Sequence, residues 1–177
     1  FEVNRLQSLS ESLLSLAKAK SLTTSTYSST DLDALFSDVT KVVLPQAKIK
    51  KIKLSYSPVN LTLITDPSEL KKVLLILLDN AIKYTSSQGR VTLKAEKRVQ
   101  NILISVQDTG VGISPDHQQK IFDRFYRVDD SRSNSTPGFG LGLSIAEQSV
   151  KRLGGKIHVQ SNLGKGSVFT ISLPTKS

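Results

Sequence analysis

Three short stretches of this 177-residue chain carry residue types whose spacing suits chemistry. The first is Asp79-Asn80 with Lys83 and Tyr84, set in a run otherwise dominated by Leu, Val and Ile. Asn80 and Lys83 are three positions apart, so on a helix they project from the same side. An amide oxygen there can coordinate a hard cation, and an ammonium can meet a phosphate oxygen. Taken alone, the solvated edge of a helix is the plainer account of these residues. The second stretch is Asp108-Thr109-Gly110-Val111-Gly112-Ile113, directly after a strand-like run. A carboxylate at a strand end can accept a hydrogen bond from an exocyclic amine, and the glycines that follow let backbone approach a flat ligand. An ordinary tight turn would read the same way. The third is Gly138-Phe139-Gly140-Leu141-Gly142-Leu143, which opens a helix-like run. Glycine-rich backbone entering a helix presents unpaired N–H groups, a cradle for polyphosphate. It follows no strand of a βαβ unit and lacks a Lys-Ser/Thr ending, so neither a Rossmann fingerprint nor a P-loop fits.

The elements that would position these residues are legible in outline. Residues 1–20 predict a helix, with Leu6, Leu9, Leu13 and Leu16 in the rhythm of a coiled-coil seam. Such a seam suits pairing with a partner helix, or docking on the chain's own domain. Ser21 to Thr30 is almost all small hydroxyl residues and predicts a linker. Asp31 or Thr30 can cap a helix that presents Leu32, Leu35, Phe36, Val39 and Val43 and runs to about Leu44, where Pro45 marks its end. Short β patterns follow at 51–55 and 60–65. Asp66-Pro67-Ser68-Glu69 then gives a capping Asp, a Pro at the first helical position and an acid in the first turn. The helix it starts should reach Tyr84, with Leu70, Val73, Leu74, Leu77, Leu78 and Ala81 as its apolar face. Strands are expected at 90–98 and 101–107, neighbours in one sheet. Residues 109–137 hold no long periodic element, as functional loops and lids often do. A helix over 141–153 should stop at Gly154-Gly155. Strands at 156–161 and 167–173, joined through Gly164-Lys165-Gly166, close the chain.

Composition narrows the class. With no cysteine, a disulfide scaffold, a thiolate zinc site and a cysteine nucleophile are excluded, and two histidines leave little for a histidine metal site. Apolar runs such as Leu74 to Leu78 fall short of the ~20 residues that span a bilayer. Glu2, Asn4 and Arg5 interrupt any apolar start, so no signal peptide is read and a cytoplasmic domain is expected. The net charge of +9 comes from 24 basic and 15 acidic residues. Its densest run, Lys48, Lys50, Lys51 and Lys53, alternates with Ile49, Ile52 and Leu54 and lacks stacking aromatics. It reads as a solvated face, so nucleic acid is not an expected partner. A basic surface also suits a nucleotide polyphosphate or an acidic protein.

In this order and spacing, the three stretches resemble the N, G1 and G2 boxes of the ATP-binding domain of sensor histidine kinases, in the wider family with DNA gyrase, Hsp90 and MutL. Ile121-Phe122-Asp123-Arg124-Phe125-Tyr126-Arg127-Val128-Asp129 is similar to the F box, and Gly166-Ser167-Val168-Phe169-Thr170 to the last glycine box. The match covers roughly residues 30–175. Residues 1–20 are similar to the second helix of the dimerisation and phosphoacceptor domain. The resemblance implies an α+β fold, a two-layer sandwich of a mixed sheet with helices on one face (the Bergerat fold). It implies a catalytic domain over 31–177, with 21–30 as linker and 1–20 as part of the dimerisation domain. ATP and Mg²⁺ are the implied cofactors. Asp108 would hydrogen-bond the adenine amine, with Gly110, Gly112 and Ile113 shaping the base site. Asn80 would ligate Mg²⁺, Lys83 and Arg127 would meet phosphate oxygens, and Tyr84 and Tyr126 would flank the nucleotide. Gly138, Gly140, Leu141, Gly142, Leu143 and Thr170 complete the implied cofactor site.

The implied activity is donation of the ATP γ-phosphate to a histidine in a two-component system. The implied partners are the phosphoacceptor helix of the same protein and a response regulator receiver domain. A homodimer is implied for the full-length protein, and a monomer or weak dimer for this chain. Two departures stand out. One turn before Asn80 the family usually has Asn or Glu, and this chain has Ile76. Neither His117 nor His158 has the helical context of a phosphoacceptor, so both read as structural or surface residues and autophosphorylation is not expected. Two other readings share the ATP site. An anti-sigma-type serine kinase would lack the leucine helix and have a weaker F box; a nucleotide-gated interaction module would bind ATP and transfer nothing.

Overall fold

The computed structural model describes residues 26–128 and 139–175. The leucine helix expected over 1–20, the first half of the expected linker, and Gly138 lie outside them. The elements run β1 (Ser28–Asp31), α1 (Leu32–Ile49), β2 (Lys53–Tyr56), β3 (Thr62–Thr65), α2 (Pro67–Tyr84), β4 (Arg90–Lys97), β5 (Asn101–Asp108), α3 (Pro115–Gln118), a 3₁₀ turn (Lys120–Phe122), α4 (Gly142–Arg152), β6 (Lys156–Asn162) and β7 (Gly166–Pro174).

Both long helices start where a carboxylate can satisfy orphan N–H groups. Asp31 accepts from Asp33 N (2.8 Å) and Ala34 N (3.2 Å), and Asp66 from Ser68 N (3.0 Å) and Glu69 N (3.1 Å). α2 turns Leu70, Val73, Leu74, Leu77, Leu78, Ala81 and Ile82 inward. Burying each Leu contributes roughly 1.5–3 kcal/mol, which fixes how the helix is rotated about its axis. Asn80 and Lys83 are thereby left at the helix edge. α4 ends as its glycines require: Gly154 takes φ +76°, and Gly155 N reaches back to Val150 O at 2.9 Å.

Five strands form a mixed sheet in the order β2-β4-β5-β7-β6, with β2 and β4 parallel and the other neighbours antiparallel. Val91, Leu93, Ile104, Val106, Phe169 and Ile171 point from it into the helical layer and are buried. The alternate residues, among them Thr92, Lys94, Ser105, Thr170 and His158, sit on the opposite face. The expected two-layer α+β sandwich with helices on one face is what the chain builds.

Two expectations need correction. The hydroxyl-rich stretch read as linker enters the fold at Ser28, where β1 pairs antiparallel with β3 from Ser28↔Thr65 to Asp31↔Thr62. Backbone pairing carries this strand, so it leaves no apolar pattern in the sequence. α1 also runs through Pro45 to Ile49. Ala47 and Val43 continue the buried stripe beyond the proline, which stays exposed, and packing outweighs the lost ladder bond.

α1 stops in a Schellman arrangement in which Ile52 N donates to Ala47 O (2.8 Å) and Lys51 N to Lys48 O (2.9 Å). Lys51 therefore takes φ +56°, a left-handed conformation that a Cβ disfavours. Lys51→Gly is expected to raise stability by about 0.5–1 kcal/mol in urea unfolding, after the entropy of glycine is set against the relieved strain. Lys51→Val should lower it, and a lower midpoint for the glycine variant would refute the strain.

Candidate functional site

The C-terminal half of α2, the 109–113 loop, residues 121–128, the start of α4 and the start of β7 enclose a cavity of about 450 Å³. At one end lies Asp108, the last residue of β5, with 6% of its surface exposed. Its Oδ1 accepts from Gly110 N at 2.8 Å and Ser167 N at 3.3 Å. Burial raises the carboxyl above the usual range, and those two N–H bonds only partly oppose it. Gly112 and Ile113 wall this end. Gly112 sits at φ +70°, where a Cβ would come within 2.0 Å of Asn162 O, so no other residue fits. The loop is anchored further by Ile113 N donating to Ser161 Oγ (2.8 Å).

Cations line the same cavity. Lys83 and Arg127 both line it. Burial lowers the Lys83 pKa, Asp79 opposes this, and the charge of Arg127 lowers it further. Two cations side by side make this part of the lining favourable to an anionic ligand. α4 begins at Gly142, whose modest size leaves it beside α2: a Cβ there would lie 3.4 Å from Ile76 Cγ2 and 3.9 Å from Asn80 Nδ2. Among the described residues no side chain caps α4, and Gly142 and Leu143 line the cavity, so its positive N-terminal end faces the space beside Asn80.

Tyr84 and Tyr126 line the cavity as well, and His117 Nδ1 is hydrogen-bonded to the Tyr126 hydroxyl. Phe125 N donates to Gly140 O at 3.0 Å, which clasps the two ends of the chain that flank residues 129–138. His158 lies on the outer face of the sheet.

The structure thus brings Asn80, Lys83, Tyr84, Asp108, Gly112, Ile113, Tyr126, Arg127, Gly140, Gly142 and Leu143 around one cavity. Three expected residues do not line it. Thr170 is on the outer face, because residues alternate along β7 and Ser167 and Phe169 take the inner positions. Gly110 is buried behind the wall, against the Tyr84 carbonyl. Leu141 is buried at the cap of α4. Sequence reasoning missed Ser167, Phe169, Val111, Thr85, Ser86 and Lys50, all of which line the cavity. The period-two pattern of β7 would have singled out Phe169 over Thr170.

Lys50 is the unexpected member. Its Nζ donates to Ile82 O and Lys83 O, 2.8 Å each, at the C-terminus of α2. It belongs to no solvated face. Among the described residues, no group of three or more His, Cys, Asp or Glu could hold a metal ion, and no helix is long and apolar enough to cross a membrane.

The chain belongs to the family of histidine kinase-, DNA gyrase B- and HSP90-like ATPases, whose profile matches residues 65–177. Within that family its likeness is to the sensor histidine kinases of two-component systems. It is 42% identical to sensor histidine kinase RppB of Synechocystis sp. over 173 residues, covering 96% of this chain and 38% of that protein. It is 44% identical to sensor protein CiaH of Streptococcus pneumoniae over 112 residues, covering 63% of this chain and 25% of that protein. The chain thus spans well under half the length of these relatives. Among solved structures, full-length ShkA in complex with AMPPNP superposes with a TM-score of 0.85 at 29% identity, over 97% of this chain and 36% of that one. The catalytic domain of histidine kinase ThkA gives 0.72 at 25% identity, over 85% and 97%.

Asp108 sets a testable trade between stability and function. A buried carboxyl raised above its unfolded value opposes folding at neutral pH, and the opposition fades as pH falls through the folded pKa. Asp108→Asn keeps the Oδ1 acceptor for Gly110 and Ser167 and removes the charge. Scanning calorimetry at pH 7.5 should give the variant a higher Tm than the parent, with the gap narrowing toward pH 4. A lower Tm at pH 7.5 would contradict the buried-charge account.

Proposed function

We propose that this chain binds Mg-ATP and donates its γ-phosphate to a histidine on a phosphoacceptor helix. The single observation that carries the reading is the make-up of the cavity lining: one cavity joins a buried acceptor, Asp108, with Lys83, Arg127 and the α4 N-terminus. An adenine amine suits the first and a triphosphate the second. The Asp108 carboxylate accepts from the exocyclic amine, which guanine lacks at that position, while Gly112, Ile113 and Phe169 contact the flat base. Lys83 and Arg127 neutralise phosphate oxygens, and the α4 N–H groups add fixed dipoles. Mg²⁺, when bound with the nucleotide, supplies further neutralisation between phosphates, and the Asn80 amide oxygen is the residue here to hold it. A cation carried in by the nucleotide needs no carboxylate cage.

The γ-phosphoryl group then passes to an imidazole nitrogen and ADP departs. Likeness to sensor histidine kinase RppB supports the histidine as acceptor. A response regulator receiver domain as onward partner, and dimerisation through the phosphoacceptor domain, belong to the same proposal. A cytoplasmic setting agrees with this chemistry, since ATP is drawn from there. Ile76 packs half-buried beside Asn80 and Gly142, and its side chain can neither orient nor deprotonate water. We therefore assign this chain weak uncoupled ATP hydrolysis.

Calorimetric titration with AMPPNP and Mg²⁺ should show binding to the parent and a loss of about 100-fold in Asp108→Asn, because the Asn amide would face the adenine amine donor to donor. No binding to the parent would end the nucleotide reading. Labelled γ-phosphate should move from ATP to an added phosphoacceptor domain, and its failure to do so would leave a nucleotide-gated module. Ile76→Asn should hydrolyse ATP about tenfold faster than the parent in a phosphate-release assay. An unchanged rate would remove the role assigned to Ile76.

A further inference from the structure

We propose that Lys50 is a positioning residue for the nucleotide site: by occupying the carbonyls of Ile82 and Lys83, it keeps the Lys83 ammonium in the cavity. The inference rests on the nucleotide reading above.

The last turn of a helix leaves four carbonyls without intrahelical partners. In α2 all four are met. Ala81 O accepts from Thr85 N (3.1 Å) and Thr85 Oγ1 (2.6 Å), and Tyr84 O accepts from Val111 N (3.2 Å). Ile82 O and Lys83 O are met by Lys50 Nζ, from 32 and 33 residues upstream. A helix C-terminus carries roughly half a negative charge, and a lysine in the last turn is the usual group to answer it. Here that last-turn lysine is Lys83 itself. Its flexible four-carbon chain is long enough to fold back onto its own helix end. With Lys50 seated there, the acceptors are taken and a second ammonium would be repelled. Lys83 instead lines the cavity, 5.4 Å from the centre of the Tyr84 ring.

Lys50 is held for this task on both sides. It is the C-cap of α1, and its neighbours are stitched to the turn that follows α2: Gln88 N donates to Lys51 O (3.1 Å) and Lys53 N to Gly89 O (2.9 Å). The backbone thereby fixes where the Lys50 chain starts.

The test is a double-mutant cycle read by calorimetric titration of AMPPNP with Mg²⁺. Lys50→Met keeps the straight chain and removes charge and donors. Lys50→Met and Lys83→Ala should each weaken binding about tenfold, with the double variant no more than about threefold weaker than either. Lys50→Arg, which keeps the donors, should return affinity to within about threefold of the parent. Additive losses would reduce Lys50 to a general support of the helix end and overturn the proposal, as would parent-like binding by Lys50→Met. Should Lys50→Met lose its fold by circular dichroism, Lys50→Gln replaces it in the cycle under the same criterion. A parent that binds no AMPPNP would overturn the nucleotide reading, whereas a binding parent with an additive cycle overturns this inference alone.

Discussion

A helix that ends beside a ligand cavity cannot leave its final carbonyls to water without giving up the shape of the cavity. α2 is in that position, and much of the structure answers to it. Its apolar face fixes its rotation, its N-terminus is capped by Asp66, and its far end is gripped by α1, by the turn at Thr85 and by the loop at Val111. α4 lies antiparallel along it: Arg152 meets Glu69 at one end (2.7 Å), and Gly142 sits by Asn80 at the other. The partly exposed ion pair adds little energy, but it joins the ends of two helices whose other ends frame the site.

The loop after β5 answers a second demand, that of a carboxylate taken out of water. Oδ1 of Asp108 is held by two backbone N–H groups, one from the loop and one from β7. Ser161 extends the same join: its hydroxyl accepts from Ile113 N and lies 2.9 Å from both Gly166 O and Ser167 Oγ. Strand ends, loop and hairpin are thus one hydrogen-bonded unit around a charge whose burial is unfavourable by itself. Sites that recognise a ligand commonly hold such groups, supported by stability gathered elsewhere.

Much of this was legible beforehand. The Asp66-Pro67 helix start, the Gly154-Gly155 stop and the pairing of the strands at 90–98 and 101–107 each rest on local rules, and local rules held. Box spacing located the cavity's main residues because each of them combines a special residue type with a set distance. What escaped was non-local. β1 is made by a partner strand more than thirty residues away, and nothing apolar in Ser28 to Thr30 announces it. Pro45 looked like a stop because the breaker is visible and the packing of Ala47 is not. Lys50 looked solvated because its acceptors belong to another helix. Thr170 was a plain error of phase within a strand whose alternation could be read.

The order of strands has a further consequence. β7 lies between β5 and β6, and among the described residues β6 has no other neighbour in the sheet. The last of the five strands in sequence order thus lies inside the sheet, and it supplies both Ser167 and Phe169 to the cavity. Without β7, β6 would have no partner in the sheet, and the cavity would lack the wall that Ser167 and Phe169 form. Site and closed core thus depend on the same strand, so loss of β7 would remove both.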